Sequence, residues 1–396
     1  MNSKKNFLSG LNTILAALLC VVIGLAIGFI ILVIIAWAKM AGEEGTTFAS
    51  VISTAYNSGF KQILLGGFFR LPSPRQIRSE IALAAPLIMC GLSVGFAFKT
   101  GLFNIGAAGQ YTVGAYGGLL FGLVLGCPWW VCLIASAVFG ALWGAIPGFF
   151  KAYFNINEVI TSIMFNWIGL YGVNTLMYMN GNGAMYNAKT TKTWTLAAKN
   201  GSAIIPDMKG ISTYLASPAT WAIVIAVVIA IALLIILNST VFGYELKACG
   251  HSKTAAKYAG INEKRNIILS MTIAGALAGL GAGLYYLTDV AQWQPLVSTA
   301  LPSMGFDGIS VALLASSNPV GTIFSAFLIS HITTGGGMMT ASLFPPEIAD
   351  VISGIIIYLC AFSLLFRNVI TDLLSGRKPG KLLPKKHTEK SGKEAK

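Results

Sequence analysis

Long apolar runs recur along most of this chain, and they constrain its fold more than any other feature. Runs of about 20 apolar residues are long enough to cross a bilayer as helices. Only 10% of the 396 residues are charged, whereas a soluble domain carries about 25%. The sequence therefore predicts an all-α integral membrane protein, because a helix satisfies its own backbone hydrogen bonds in hydrocarbon.

Ten apolar runs can be distinguished. They lie at about 13–38, 81–98, 101–126, 128–150, 158–179, 219–237, 266–288, 306–316, 319–335 and 348–366. The run at 306–316 is too short to cross alone, and residues 306–335 form either two spans or one re-entrant pair. We expect about 10 transmembrane helices, including short or broken ones, in one compact bundle over residues 1–366.

The orientation follows from the first run and from the basic residues. That run is too long for the apolar core of a cleaved signal peptide, which is roughly 7–15 residues. We expect an uncleaved first span and a cytoplasmic N-terminus, so that ten spans also place the C-terminus in the cytoplasm. The basic tail at 367–396 agrees with this orientation and is expected to be disordered. Loops placed outside also contain lysine and arginine, at 61, 70, 75, 78, 189, 192, 199 and 209.

Residues 99–122 differ from the other runs because they combine polar side chains with seven glycines. The polar and hydroxyl-bearing residues are Asn104, Gln110, Tyr111, Thr112 and Tyr116. A buried polar group without a partner costs about 2–7 kcal/mol. This stretch is therefore predicted to face protein or a water-filled path rather than lipid.

Glycines also recur at every fourth position in three places. These are Gly114, Gly118, Gly122 and Gly126; Gly140, Gly144 and Gly148; and Gly275, Gly279 and Gly283. Four residues are close to one helical turn, so each set lines one helix face. The spacing predicts helices that approach one another closely.

The ionisable residues argue against several kinds of function. Glu158 is the only carboxylate across 81–179, and Asp307 and Asp350 lie at the edges of apolar runs. His331 is the one candidate for an intramembrane proton relay, and a hydrogen bond within the packing is the alternative. No catalytic set, metal site or cofactor site can be assembled, so we expect neither an enzyme nor a bound cofactor.

The energy source is not encoded in an obvious motif of this chain. It contains no GxxxxGK[ST] motif, which would bind the phosphates of ATP. Despite the formal net charge of +13, its basic residues lie mostly at the ends of apolar runs. This placement favours contact with anionic membrane lipid and not with nucleic acid.

The segment 238–265 is the largest loop between two cytoplasm-facing ends. In it, Ser252 is placed to cap a short helix that runs to about Ala259 and is closed by Gly260. Such a loop either serves only to orient the neighbouring spans or docks a partner that supplies energy. The residues themselves leave both alternatives open.

Four motifs occur in a fixed order along the chain. They are TGLFNIGAAGQYTVGAYGG at 100–118, NEVITSIMFNWI at 157–168, ACGHSKTAAKYAGIN at 248–262 and GFDGISVALLASSNP at 305–319. Together they resemble the permease subunits of bacterial ABC importers of the ribose and branched-chain amino acid permease superfamily, with the nucleoside permeases as the nearest likeness. The fourth motif departs from the pattern, because Ala315-Ser316-Ser317 stands where Gly-Arg or Gly-Lys is common.

The resemblance, which covers roughly 75–370, implies two sites. The first is a coupling helix that docks into a separate ATPase and contains Gly250, Ala255, Ala256 and Gly260. The second is a translocation path flanked by residues 101–118 and 157–168. Its candidate residues could bind ribose or base edges through their amides and stack on a base through their rings. They are Asn104, Gln110, Tyr111, Asn166, Trp167 and Asn174. Packing between helices is the alternative role for each of them.

The resulting prediction is a permease subunit that imports nucleosides across the bacterial plasma membrane by alternating access. The implied partners are an ABC ATPase subunit, a second permease subunit and an extracellular substrate-binding lipoprotein. Simple sugars such as ribose or galactose are the alternative substrates. A cation-coupled secondary carrier and a membrane scaffold without transport activity are the alternatives from other classes.

Overall fold

The structure is a computed structural model that describes residues 2–42, 46–67, 69, 74–179, 184–208, 218–295, 300–345 and 347–361. Over these ranges it is mostly helical, and each of the ten predicted apolar runs contains a helix. The predicted tail at 367–396 and the end of the last run at 362–366 lie outside the described residues.

The described helices are numbered in chain order. They are α1 Asn2–Met40, α2 Phe48–Thr54, α3 Lys61–Leu65, α4 Pro74–Lys99, α5 Ala107–Leu119, α6 Trp129–Phe154, α7 Glu158–Met179, α8 Leu196–Lys199, α9 Pro218–Ser239, α10 Val241–His251, α11 Lys253–Tyr258, α12 Glu263–Tyr286, α13 Ser303–Leu314, α14 Pro319–Gly336 and α15 Glu347–Ala361. Two π-helical turns, Ala55–Phe60 and Leu120–Val124, and one 3-10 turn, Gly201–Ala203, accompany them. Strands β1 Tyr186–Asn187 and β2 Lys192–Thr193 form a short antiparallel hairpin.

Six of the described helices are long and apolar enough to cross a bilayer. Their candidate spans are Leu18–Met40, Gln76–Lys99, Trp129–Phe154, Glu158–Tyr178, Trp221–Ser239 and Glu263–Tyr286. In the other four predicted runs, each α-helix has fewer described residues than the roughly 20 of a typical crossing. The structure confirms a mostly helical protein with several candidate spans, and the count of about ten stays a prediction.

Helices α4 and α12 form the centre of the bundle. In an apolar stretch of 18 residues within each span, the protein buries 89% of the residues of Gln76–Lys99 and 67% of those of Glu263–Tyr286. The corresponding share is 33% or less in the other candidate spans. An ideal Cβ on Gly275 of α12 would lie 2.3 Å from the carbonyl oxygen of Gly140 in α6. One on Gly114 of α5 would lie 2.4 Å from the Cα atom of Gly279 in α12. Close backbone contact is thus confirmed for these predicted glycines, whereas Gly126 of the first set has no atom within 4 Å of an ideal Cβ.

The prediction of one helical run over 101–126 is wrong at its start. Helix α5 begins only at Ala107, and residues 100–106 form a non-helical turn after α4. Gly101 has a φ angle of +74° there, which favours glycine over any residue with a side chain. Leu102 and Asn104 are buried in this turn. Non-helical backbone inside a membrane protein needs hydrogen-bond partners from the protein itself.

Residues 48–65 were not among the predicted runs, yet they pack along α1. The Phe48 ring lies 6.1 Å from Trp37, and the Phe60 ring lies 5.0 Å from Phe29. The segment therefore runs antiparallel to α1. Together with α14 and α15 these elements form a second hydrophobic core beside the main one.

Candidate functional site

The turn before α5 is held by a closed network of buried amides. Asn104 donates to Gln110 Oε1 at 2.8 Å, and Gln110 donates back to Asn104 Oδ1 at 3.0 Å. Asn104 Nδ2 also donates to Ser93 Oγ at 3.0 Å, and the Ser93 hydroxyl donates to the carbonyl of Ala274 at 2.6 Å. These bonds fasten the turn to both central helices, α4 and α12.

Helix α5 receives its N-terminal cap from α7. The residue at its own N-cap position, Gly106, has no side chain that could accept a bond from the first turn. Instead, Asn166 Oδ1 accepts from the backbone N–H of Gly109 at 2.8 Å. Asn166 Nδ2 donates to the carbonyl of Ile105 at 3.0 Å. Asn166 is only 2% exposed, so it joins α5 to α7 within the protein interior.

The other three candidate path residues lie in different surroundings. Tyr111 is buried in the core beside Tyr286, at 6.2 Å between ring centroids. Trp167, the residue after Asn166 on α7, is exposed and stacks on Tyr171 at 5.9 Å. Asn174 lies about two turns beyond Asn166 and accepts a hydrogen bond from Trp293 Nε1 at 2.8 Å.

The structure therefore brings together three of the six candidate path residues, namely Asn104, Gln110 and Asn166, at the start of α5. Their polar atoms bind protein groups in this conformation. Direct contact of any of the six with a substrate stays a prediction.

The coupling segment has the predicted short helix. The Ser252 hydroxyl accepts from the N–H of Ala255 at 3.3 Å and caps α11. At the other end, Gly260 has a φ angle of +80° and donates to the carbonyl of Lys257 at 3.0 Å, while Ile261 donates to that of Ala256 at 3.0 Å. This pair of bonds is a Schellman motif, which requires a left-handed residue such as glycine. The predicted cap at Ser252 and end at Gly260 are confirmed.

The four candidate coupling residues face in different directions. Ala255 and Gly260 are exposed, whereas Ala256 is buried beneath the helix. Gly250 instead packs on the turn after α4, where an ideal Cβ would lie 2.7 Å from the N atom of Gly101. Sequence reasoning missed Tyr258, which is 94% exposed at the end of α11. An aromatic residue in a basic loop was the available signal for it.

The coupling segment lies at the same end of the bundle as the start of α7. Glu158 at the first position of α7 forms a salt bridge of 2.8 Å with Lys151 of α6. Lys253 at the start of α11 also acts electrostatically on Glu158. The turn after α4, the end of α6, the start of α7 and the end of α10 thus lie at the same end of the bundle as α11.

His331 has protein partners on both ring nitrogens. Its Nδ1 lies 3.1 Å from Glu80 Oε1, and its Nε2 lies 3.1 Å from the carbonyl of Leu64. Glu80 Oε2 accepts from the N–H of Gly67 at 2.7 Å. Sequence reasoning missed Glu80 because it directly precedes an apolar run. The geometry favours the packing role of His331, since this cluster fastens residues 64–67 to α4 and α14.

No group of three or more His, Cys, Asp or Glu side chains in the described ranges is arranged to hold a metal ion.

Comparison with known proteins identifies a family and several relatives. The family described as branched-chain amino acid transport system / permease component matches residues 76–361. The guanosine ABC transporter permease protein NupP of Bacillus subtilis (strain 168) is 34% identical over 369 residues, which cover 92% of this chain and 97% of NupP. The nucleoside ABC transporter permease protein NupB of Lactococcus lactis subsp. cremoris (strain MG1363) is 34% identical, over 81% of this chain and 88% of NupB. A second guanosine permease protein of B. subtilis, NupQ, is 25% identical over 63% of this chain and 80% of NupQ.

Proposed function

The chain belongs to the branched-chain amino acid transport system permease family, and on this premise we propose that it is the permease subunit of an ABC importer that moves nucleosides. The observation that carries the substrate class is the 34% identity to a guanosine permease over nearly the full length of both chains. The chain is a transport subunit and not an enzyme, so ATP is hydrolysed on a partner chain.

The energy enters through the coupling segment. Its helix α11 presents the exposed side chains of Ala255 and Tyr258 to a separate ATPase. Gly250 and the buried Ala256 hold the segment against the bundle, and Gly260 ends the helix. The contact between Gly250 and Gly101 supports this assignment, because it links α10, which directly precedes the docking helix, to the turn before α5.

The substrate passes along the start of α5 and the exposed face of α7. Asn104, Gln110 and Asn166 shape the turn at one end, and Trp167 lies on the exposed face of α7. This face is completed by the second permease subunit. Tyr111 and Asn174 lie further along α5 and α7, and they provide the remaining polar groups of the path. The exposed stack of Trp167 on Tyr171 supports this assignment, since stacked rings suit a planar base.

The protein is a multi-pass plasma membrane protein, and we assign its N- and C-termini to the cytoplasm. Residues 1–366 form a permease domain of about ten spans, and the sequence after it at 367–396 is basic. The complete importer contains a second permease subunit, ABC ATPase subunits and an extracellular substrate-binding lipoprotein. Two guanosine permeases of one organism match this chain, which supports a paired permease.

One uptake experiment tests the energy source and the substrate class together. Cells that depend on this importer are given labelled guanosine while a protonophore collapses the proton gradient and cellular ATP is maintained. We expect uptake to continue under these conditions and to stop when ATP is depleted instead. Loss of uptake with ATP present would show a gradient-driven carrier, and lack of guanosine uptake in untreated cells would rule out the substrate class.

A further inference from the structure

Asp307 on α13 is a half-buried carboxylate without a cationic partner. Its hydrogen bond goes to the side chain of Ser303, one turn earlier on the same helix. None of the Lys, Arg or His side chains in the described ranges forms an ion pair with it. The charge of Asp307 is therefore not neutralised by this subunit where the structure describes it.

Asp307 lies at the depth of the apolar part of the bundle. The neighbouring Gly308 packs on Cys90 of α4, where an ideal Cβ would lie 2.6 Å from the Cys90 Cβ atom. Cys90 comes nine residues before Lys99, which is about 13 Å along a helix. A charged side chain at such depth costs roughly 2.5–3.5 kcal/mol or more unless it faces water or a partner group.

Helix α13, which carries Asp307, also packs on the start of the proposed path. Two residues before Asp307, an ideal Cβ on Gly305 would lie 2.4 Å from the Cα atom of Ala108 in the first turn of α5. Cys90 interacts electrostatically with both Asp307 and Tyr111. The Tyr111 hydroxyl is buried and has no hydrogen-bond partner among the described residues. A carboxylate without a cationic partner and a hydroxyl without a hydrogen-bond partner thus both interact with the same residue of α4.

We propose that Asp307 recognises the ribose of the nucleoside by accepting hydrogen bonds from its 2′- and 3′-hydroxyl groups. An ionised carboxylate only accepts hydrogen bonds, and its two oxygens match two adjacent O–H donors. A carboxylate performs the same task on ribose hydroxyls in dinucleotide-binding folds. This inference rests on the proposed nucleoside transport and names the chemical group that the permease itself selects.

The test compares guanosine with 2′,3′-dideoxyguanosine, which lacks both hydroxyl groups. The complete importer, reconstituted in proteoliposomes with ATP and its binding protein, is assayed for the uptake rate of each labelled compound. We expect Asp307→Asn to slow guanosine uptake about tenfold or more, as for the loss of a hydrogen bond to a charged group. Uptake of the dideoxy compound should stay unchanged. Asp350→Asn is the matched control, because this exposed carboxylate on α15 is near enough to act on Asp307 electrostatically.

Three results would overturn the inference while leaving nucleoside transport intact. One is an equal uptake rate of both compounds in the wild type. Another is an equal loss of the uptake rates of guanosine and the dideoxy compound in Asp307→Asn, which would indicate a structural role. The third is failure of Asp307→Asn to co-purify with the second permease, which would indicate an ion pair across that interface. Absence of guanosine uptake by the wild type would instead reject the proposed function.

Discussion

Gly101 and Gly250 lie backbone against backbone, with no room for a side chain at either position. An ideal Cβ on Gly101 would lie 2.4 Å from the Cα atom of Gly250, and one on Gly250 would lie 2.5 Å from the carbonyl carbon of Thr100. The contact fixes the turn after α4 to the end of α10. A displacement of the coupling segment is therefore passed directly to the turn that precedes α5.

Gly250→Leu should disrupt this contact. Because the new side chain meets backbone atoms that cannot rotate away, we expect a loss of about 1–3 kcal/mol in stability. We also expect the ATPase of the assembled importer to lose its stimulation by loaded binding protein. The matched control is Gly201→Leu, since no atom lies within 4 Å of a Cβ at that position. Equal stimulation in both variants would show that coupling does not need the contact.

Asn166→Leu should destabilise the contact between α7 and the start of α5. It removes the acceptor of the Gly109 N–H and the donor to the Ile105 carbonyl. A buried group that loses its partner costs about 1–3 kcal/mol, so the melting temperature of the purified complex should fall. Thr175→Val on the exposed face of the same helix is the control. An unchanged melting temperature combined with weaker substrate transport would favour direct substrate contact by Asn166.

Local patterns in the sequence predicted the features that depend on near neighbours. Ser252 and Gly260 are placed to begin and end a short helix, and the structure has that helix between them. The glycines at every fourth position likewise predicted close contact between helices, which the structure has between α5, α6 and α12. Cap residues and small-residue faces act within one or two turns, so spacing alone reveals them.

Features that depend on distant partners could not be predicted in the same way. Asn166 looked like a substrate contact because it lies in the middle of a span, yet its hydrogen bonds go to residues about 60 positions earlier. Asp307 looked like a residue at the edge of a span. The packing of α13 on the middle of α4 places it at the depth of Cys90. Only the tertiary arrangement of helices decides such positions.

His331→Leu should lower stability through its effect on Glu80. The Glu80 side chain is only 2% exposed, and removing one member of a buried charged pair costs about 3–5 kcal/mol. Glu80→Gln should cost less, because its amide oxygen still accepts from the N–H of Gly67. Thermal denaturation of the purified complex measures both, with the exposed His251→Leu as the control. If Glu80→Gln instead stops uptake without changing the melting temperature, the pair serves transport rather than packing.

Tyr258→Ser should weaken binding of the ATPase without affecting the folding of the permease. Tyr258 is 94% exposed at the end of α11, so its truncation should leave the melting temperature of the permease unchanged. Aromatic side chains frequently anchor interfaces, and loss of an anchor costs at least about 2 kcal/mol. We therefore expect the ATPase to bind the variant about 30-fold more weakly, measured by titration of the ATPase onto the permease pair. Tyr244→Ser is the matched control on α10, where Tyr244 is 67% exposed. Equal binding by both variants would place the docking surface elsewhere than the end of α11.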